Sequence, residues 1–195
     1  MELKTKNYRL KTTQGGLTLV EIMVATALFS IVMLVAVGAV ISINDSNKRA
    51  QLSRTVMDNL NFAMENMARN LRMGTVYHCG ATGAYTSPAD CPAGENTIAF
   101  EGYKGSASDP DDQIVYRLSG GRIERSLASG GAGSFLPLTS EELTITSLAF
   151  YVTGTAAGDG KQPRVTISVS GTASFKGTVS TFTIQTGVSQ RRLDS

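Results

Sequence analysis

Three groups of residues in this chain have the types and spacing to do chemistry. The first is Glu21, a lone carboxylate that closes the stretch Gly15-Gly16-Leu17-Thr18-Leu19-Val20-Glu21 and stands before an uncharged run from Ile22 to Ile43. A carboxylate in a membrane-spanning helix costs on the order of 3 kcal/mol unless it is paired, so the position reads as functional. The second group is Cys79 and Cys91, the chain's two cysteines, with His78 beside them and Gly80, Gly83, Pro88 and Pro92 around them. The third is Asp109, Asp111 and Asp112 around Pro110, oxygen donors of the kind that hold calcium.

The second and third groups each have a plainer reading. His78 and Cys79 are adjacent and cannot easily share one tetrahedral ion, so a Cys79–Cys91 disulfide in an extracytoplasmic loop is expected rather than a metal site. The aspartates do not follow the EF-hand spacing, and a solvated acidic turn accounts for them; as a metal site they are a weak calcium candidate. His78 is the chain's single histidine, which leaves a Ser–His–Asp site without support. No phosphate-cradling Gly-x-x-x-x-Gly-Lys motif occurs. The chain therefore reads as non-catalytic, with no cofactor and no metal expected.

The element that must position Glu21 is the apolar run. At about 1.5 Å per residue it reaches roughly 33 Å, enough to cross a hydrocarbon core of about 30 Å. A cleavable secretory signal would carry its small residues after the apolar core; here Gly15-Gly16 precedes it, so the segment is expected to stay with the protein. Lys4, Lys6, Arg9 and Lys11 stand in front, opposed by Glu2 alone, which places that end in the cytoplasm and the remainder outside. Of 18 basic and 16 acidic side chains, four and one lie in residues 1–16, leaving 14 and 15. The body is near neutral, and its composition gives no argument for nucleic-acid binding.

Gly16-Leu17-Thr18-Leu19-Val20-Glu21 closely resembles the class III signal of type IV pilins and pseudopilins. In that family a basic leader ends in Gly and prepilin peptidase cuts after it. The exposed apolar residue is N-methylated, and a glutamate stands at the fifth mature position. The resemblance implies that Gly16 precedes the cut, that Leu17 is the mature N-terminus and methylation site, and that Glu21 is the fifth-position glutamate. The new ammonium would lie four residues from Glu21, on nearly the same helix face. A neighbouring subunit's amine is the second partner that the family implies, in an ion pair that sets register during assembly. The resemblance is local to the leader and the first half of the helix.

Beyond the span the helix is expected to continue. From Asn44 to Met73 the residues Leu52, Val56, Leu60, Ala63, Met64, Met67 and Leu71 recur at helical spacing, while Arg54, Asp58, Glu65, Arg69 and Arg72 mostly take the other faces. That stripe suits packing against the protein's own sheet. Gly38 is the one glycine inside this helix and a plausible soft point, since glycine costs a helix about 1 kcal/mol relative to alanine. Gly74 sits where a C-terminal capping glycine belongs.

From Gly74 onward come 17 of the 20 glycines and all five prolines, and short alternating runs take over, which signals antiparallel sheet. Strands are expected at Thr97–Tyr103, Gln113–Leu118, Arg122–Leu127, Leu148–Gly154, Arg164–Ser170 and Val179–Val188, with a two-residue hairpin at Gly120-Gly121 and a flexible loop around Gly130, Gly131 and Gly133. The expected fold is α+β: a leader (1–16), a transmembrane or filament-core helix (17–43), its amphipathic continuation (44–73) and one β-rich extracytoplasmic domain (74–195) on which the helix is laid.

The runs beginning at Leu148, Pro163 and Phe182 resemble the C-terminal sheet of larger minor pilins, the J-type pseudopilins of type II secretion and the W-type minor pilins. Those chains often end in Arg-Asn, where Arg191-Arg192-Leu193 stands here. The resemblance implies a minor subunit of a pilus, competence or secretion filament. Its partners would be prepilin peptidase, other pilins through the N-terminal helix, a membrane-platform assembly machinery and the lipid bilayer. The alternative is a single-pass membrane-tethered module whose sheet domain binds a surface, a sugar or DNA.

Overall fold

A computed structural model of the chain describes residues 15–156, 158–175 and 178–191. The leader residues 1–14, and Arg192 and Leu193 of the C-terminal comparison, lie outside that set. One α-helix, α1 (Leu19–Met73), is followed by nine strands: β1 (Thr75–Cys79), β2 (Cys91–Glu95), β3 (Thr97–Glu101), β4 (Ile114–Ser119), β5 (Arg122–Ser126), β6 (Leu136–Pro137), β7 (Leu143–Thr153), β8 (Arg164–Phe175) and β9 (Thr178–Ser189). The fold is α+β. The chain divides into two compact units, residues 1–48 and 49–195.

In the first unit α1 runs without a break through Gly38, and every described side chain from Gly15 to Lys48 is exposed. Two of the hydroxyls inside this apolar stretch turn back on their own helix. Thr26 Oγ1 donates to Ile22 O at 2.9 Å, and Ser30 Oγ donates to Thr26 O at 2.8 Å. This local bonding satisfies the hydroxyls within the helix itself.

In the second unit the expected stripe is the helix's buried face. Val56, Leu60, Ala63, Met64, Met67 and Leu71 are buried, and Arg54, Asp58, Glu65, Arg69 and Arg72 are exposed. The stripe joins one core with residues of two antiparallel sheets, ordered β1-β3-β4-β5-β6 and β2-β7-β8-β9. Ile98, Phe100, Tyr116 and Ile123 come from the first sheet, and Phe150, Val152, Ile167 and Val169 from the second. The Gly120-Gly121 hairpin forms as expected: Ser119 pairs with Arg122, and the two glycines take φ of 56° and 74°, as a type I′ turn requires.

Three local expectations need correction. Gly74 does follow the helix, with its N–H bonded to Leu71 O at 3.2 Å, but it has no left-handed φ. A Cβ there would collide with the Phe100 ring and sit 3.0 Å from Glu101 O, so glycine is required by the close approach of β3. The terminal carbonyls are capped by a side chain: the buried Tyr77 hydroxyl donates to Leu71 O at 2.6 Å and lies 2.9 Å from Gly74 O. Burial pushes that phenol's pKa up.

The cysteines, expected in a loop, sit in strands instead, Cys79 ending β1 and Cys91 opening β2. Strand β7 starts five residues before the expected Leu148. The register slips between Ile145 and Ser147, so the buried residues run Leu143, Ile145, then Leu148, Phe150 and Val152. A bulge inserts one residue and flips the alternation, which hides the strand's first part from a period-two reading.

Candidate functional site: the helix start and its processing motif

The helix begins at Leu19 because Thr18 caps it. Thr18 Oγ1 accepts a hydrogen bond from Glu21 N at 3.2 Å, and Thr18 O accepts from Ile22 N at 3.2 Å. Thr18 is therefore the N-cap and Glu21 occupies N3, the spacing of a capping box, with an acidic residue in the first turn where the helix dipole favours it. The capping role of Thr18 was readable from Thr-x-x-Glu ahead of an apolar run.

Gly15, Gly16 and Leu17 precede the helix, are exposed, and meet no neighbouring atom at the two glycines. The Gly16–Leu17 peptide bond thus lies in non-helical, open chain. Leu17 stands outside the helix, so Leu17 and Glu21 do not share a helical face; the cap at Thr18 is the physical reason. The expected four-residue pairing of a Leu17 amine with Glu21 would need the helix to begin two residues earlier than Leu19. Among the described residues Glu21 makes no ion pair, and its side chain is exposed.

The remaining sequence candidates separate. Cys79 and Cys91 are disulfide-bonded, with Cα atoms 5.7 Å apart. The bond joins β1 of one sheet to β2 of the other. His78 takes no part: its Nδ1 lies 2.8 Å from Ser87 O and its Nε2 2.8 Å from Thr82 O. Both ring nitrogens are thereby committed to the 80–90 loop that the disulfide closes.

The aspartates do not gather. Asp109 Oδ1 accepts from Asp111 N at 3.0 Å, an Asx-type turn, while Asp112 Oδ2 accepts from Ser106 N at 2.9 Å. Among the described residues no three His, Cys, Asp or Glu side chains form a metal-holding group. Asp112 does meet a residue that sequence reasoning passed over, Glu101 at the end of β3. Glu101 is 3% exposed, and its pKa is pushed up by burial first and by the Asp112 charge second.

The sequence pattern of the prokaryotic N-terminal methylation motif matches residues 11–37. No curated protein and no solved structure matches the chain. Residues 15–37 of the matched segment are the open Gly15–Thr18 stretch and the first turns of α1 just described. The matched motif and the long apolar helix that carries it support a type IV pilin-like reading, and by length and composition that helix could cross a membrane. The motif also implies processing by its peptidase and assembly with other pilins.

Proposed function

We propose that this chain is a minor pilin or pseudopilin, a structural subunit of a type IV pilus, competence or type II secretion filament. Prepilin peptidase cuts after Gly16 on the cytoplasmic side, and the new Leu17 amine is methylated. The amine, or that of a neighbouring subunit, pairs with Glu21. The apolar helix then passes from bilayer to filament core while the β domain, stapled by Cys79–Cys91, faces outward. The supporting observation is the run of the motif into a helix that is uncharged from Ile22 to Ile43 and whose side chains there are exposed all round. A helix apolar on every face needs lipid or other helices around it.

The test is expression with and without prepilin peptidase. The reading expects a mass loss equal to residues 1–16 only when the peptidase is present. Glu21→Ala should then be cut normally and fail to enter filaments. A protein of unchanged mass and location in the peptidase-deficient cell would favour the membrane-tethered binding module instead.

A further inference from the structure

His78 turns both of its ring nitrogens toward oxygens that can only accept. Nδ1 lies 2.8 Å from Ser87 O and Nε2 lies 2.8 Å from Thr82 O, each a hydrogen-bond length. A neutral imidazole has one N–H and one bare lone pair, so it can donate to only one of these carbonyls. Its other nitrogen would then face a carbonyl lone pair at contact distance. The residue is 5% exposed, and the chain closes on the ring's edge at Gly83, where a Cβ would lie 2.9 Å from His78 Cε1. An acceptor left facing an acceptor in so enclosed a place is costly. The doubly protonated imidazolium donates to both carbonyls and leaves neither nitrogen unmatched.

Both carbonyls belong to the loop 80–90 between β1 and β2, whose residues 81–84, Ser87 and Pro88 are exposed. Backbone bonds fasten its far end: Cys79 N donates to Ala89 O at 3.0 Å, and Ala89 N donates to Tyr77 O at 2.9 Å. Between 81 and 88, among the described residues, the two His78 contacts are the hydrogen bonds that tie the loop to the rest of the domain. The Ser87 N–H stays inside the loop, donating to Ala84 O at 2.9 Å. We propose that His78 is a proton-operated clamp on this loop. As the imidazolium it holds Thr82 and Ser87 to β1; on losing one ring proton it lets one of them go. The hold is complete in acid and weakens as pH rises through the imidazole range, about pH 6–7. The other titratable groups on the elements around the ring are Tyr77 on β1, Tyr85 and Asp90 in the loop, Glu95 on β2, Glu101 on β3 and Tyr151 on β7. Tyr85 packs on the ring at 5.4 Å between centroids, Asp90 binds the Gly154 and Thr155 N–H groups at 3.1 and 3.0 Å, and Glu101 is held by Gln113. Among the described residues no carboxylate makes an ion pair with the ring, so the two carbonyls decide which form of it fits. The clamp lies in the unit 49–195 and stands apart from the filament reading, which adds only that the proton sensed is one outside the cytoplasm.

The clamp can be tested on the full chain in detergent, where the single histidine makes the ring signal unambiguous. Ring nitrogen NMR shifts should show two protons on the ring at about pH 5.5 and one at about pH 8.5. Chymotrypsin, which cuts after aromatic residues, reports the loop by nicking at Tyr85, read by mass after the disulfide is reduced. His78→Gln is the reference, because its amide is uncharged at every pH and comparison with it cancels the protease's own pH dependence. The wild type should be nicked about fivefold more slowly than His78→Gln at about pH 5.5, the weight of roughly one hydrogen bond, and at the same rate at about pH 8.5. The proposal is overturned if the ratio of the two rates is the same at both pH values. It is equally overturned if the ring keeps one proton count across that range. If His78→Gln fails to fold, the wild type decides alone. The Ser87 amide shift must then follow the ring's titration, and a shift that stays flat while the ring titrates overturns the clamp.

Discussion

The two stretches of α1 are built from the same kinds of residue and differ in what surrounds them. Leu34 is 76% exposed and Leu60 is fully buried, although both are leucines in one uninterrupted helix. The difference lies in the residues between the apolar ones. From Ile22 to Ile43 none is charged, so no face of the helix is suited to water. From Arg49 to Met73 the charges Arg54, Asp58, Glu65, Arg69 and Arg72 claim the outer faces and leave one stripe for the core. Glu65 and Arg69 even pair along the surface at 2.8 Å. The second stretch is thus a soluble helix with its partner inside the same chain. The first is a helix whose partner must come from outside it, lipid or another subunit.

The sharpest way to break this comparison is to truncate one leucine in each stretch. Leu60→Ala should destabilise the unit 49–195 by about 2–5 kcal/mol, through lost transfer energy and the cavity left behind. Leu34→Ala should change that unit's stability by no more than about 0.5 kcal/mol, the range for exposed positions. Thermal loss of the β-sheet circular dichroism signal in detergent measures both. Equal losses would mean that the first stretch is packed against the sheets after all.

A second prediction concerns the staple between the sheets. Replacing Cys79 and Cys91 together by serine should cost about 2–4 kcal/mol, the usual range for a native bridge. The serines would also lie beside Phe150 O, which both sulfurs approach, Cys91 Sγ at 3.1 Å. The same double variant should be cut at Gly16 at the wild-type rate, because the motif lies in the other unit. A denaturant titration and a peptidase assay, run on one preparation, report the two outcomes.

What could be read in advance follows how local each feature is. The motif, the helix and its stripe are set by residues within a turn or two of one another, and all were legible. Strands β3, β4, β5, β8 and β9 were legible as short runs of strand-favouring residues bounded by turn signals, with clean alternation of burial along β8. Strand β2, Cys-Pro-Ala-Gly-Glu, contains residues that disfavour strands, and it exists because β7 and the disulfide hold it. Strand β1 carries Val76 at φ 50° within a register shift, and β6 is two residues long. The termination at Gly74 was legible, but its cause was not, because Phe100 is distant in sequence. Glu101 looked like any polar residue at a strand end. Its burial depends on the 102–112 loop returning over it, and that is tertiary information.

The smallest expected effect falls on the residue that fixes where the first stretch begins. Thr18→Ala removes the acceptor of the Glu21 N–H, and such a change typically costs about 1 kcal/mol. In local terms that is roughly a fivefold faster hydrogen exchange at the Glu21 amide, with Ile22 following as the first turn frays. Thr18→Ser keeps the oxygen and should exchange at the wild-type rate. Amides around Leu60 should not respond to either change, since their stability comes from the core. Unchanged exchange at Glu21 in Thr18→Ala would show that the cap does not hold the helix start. It would also remove the stated reason for Leu17 standing outside the helix, and the amine–carboxylate pair would then need no new helical turn in order to form.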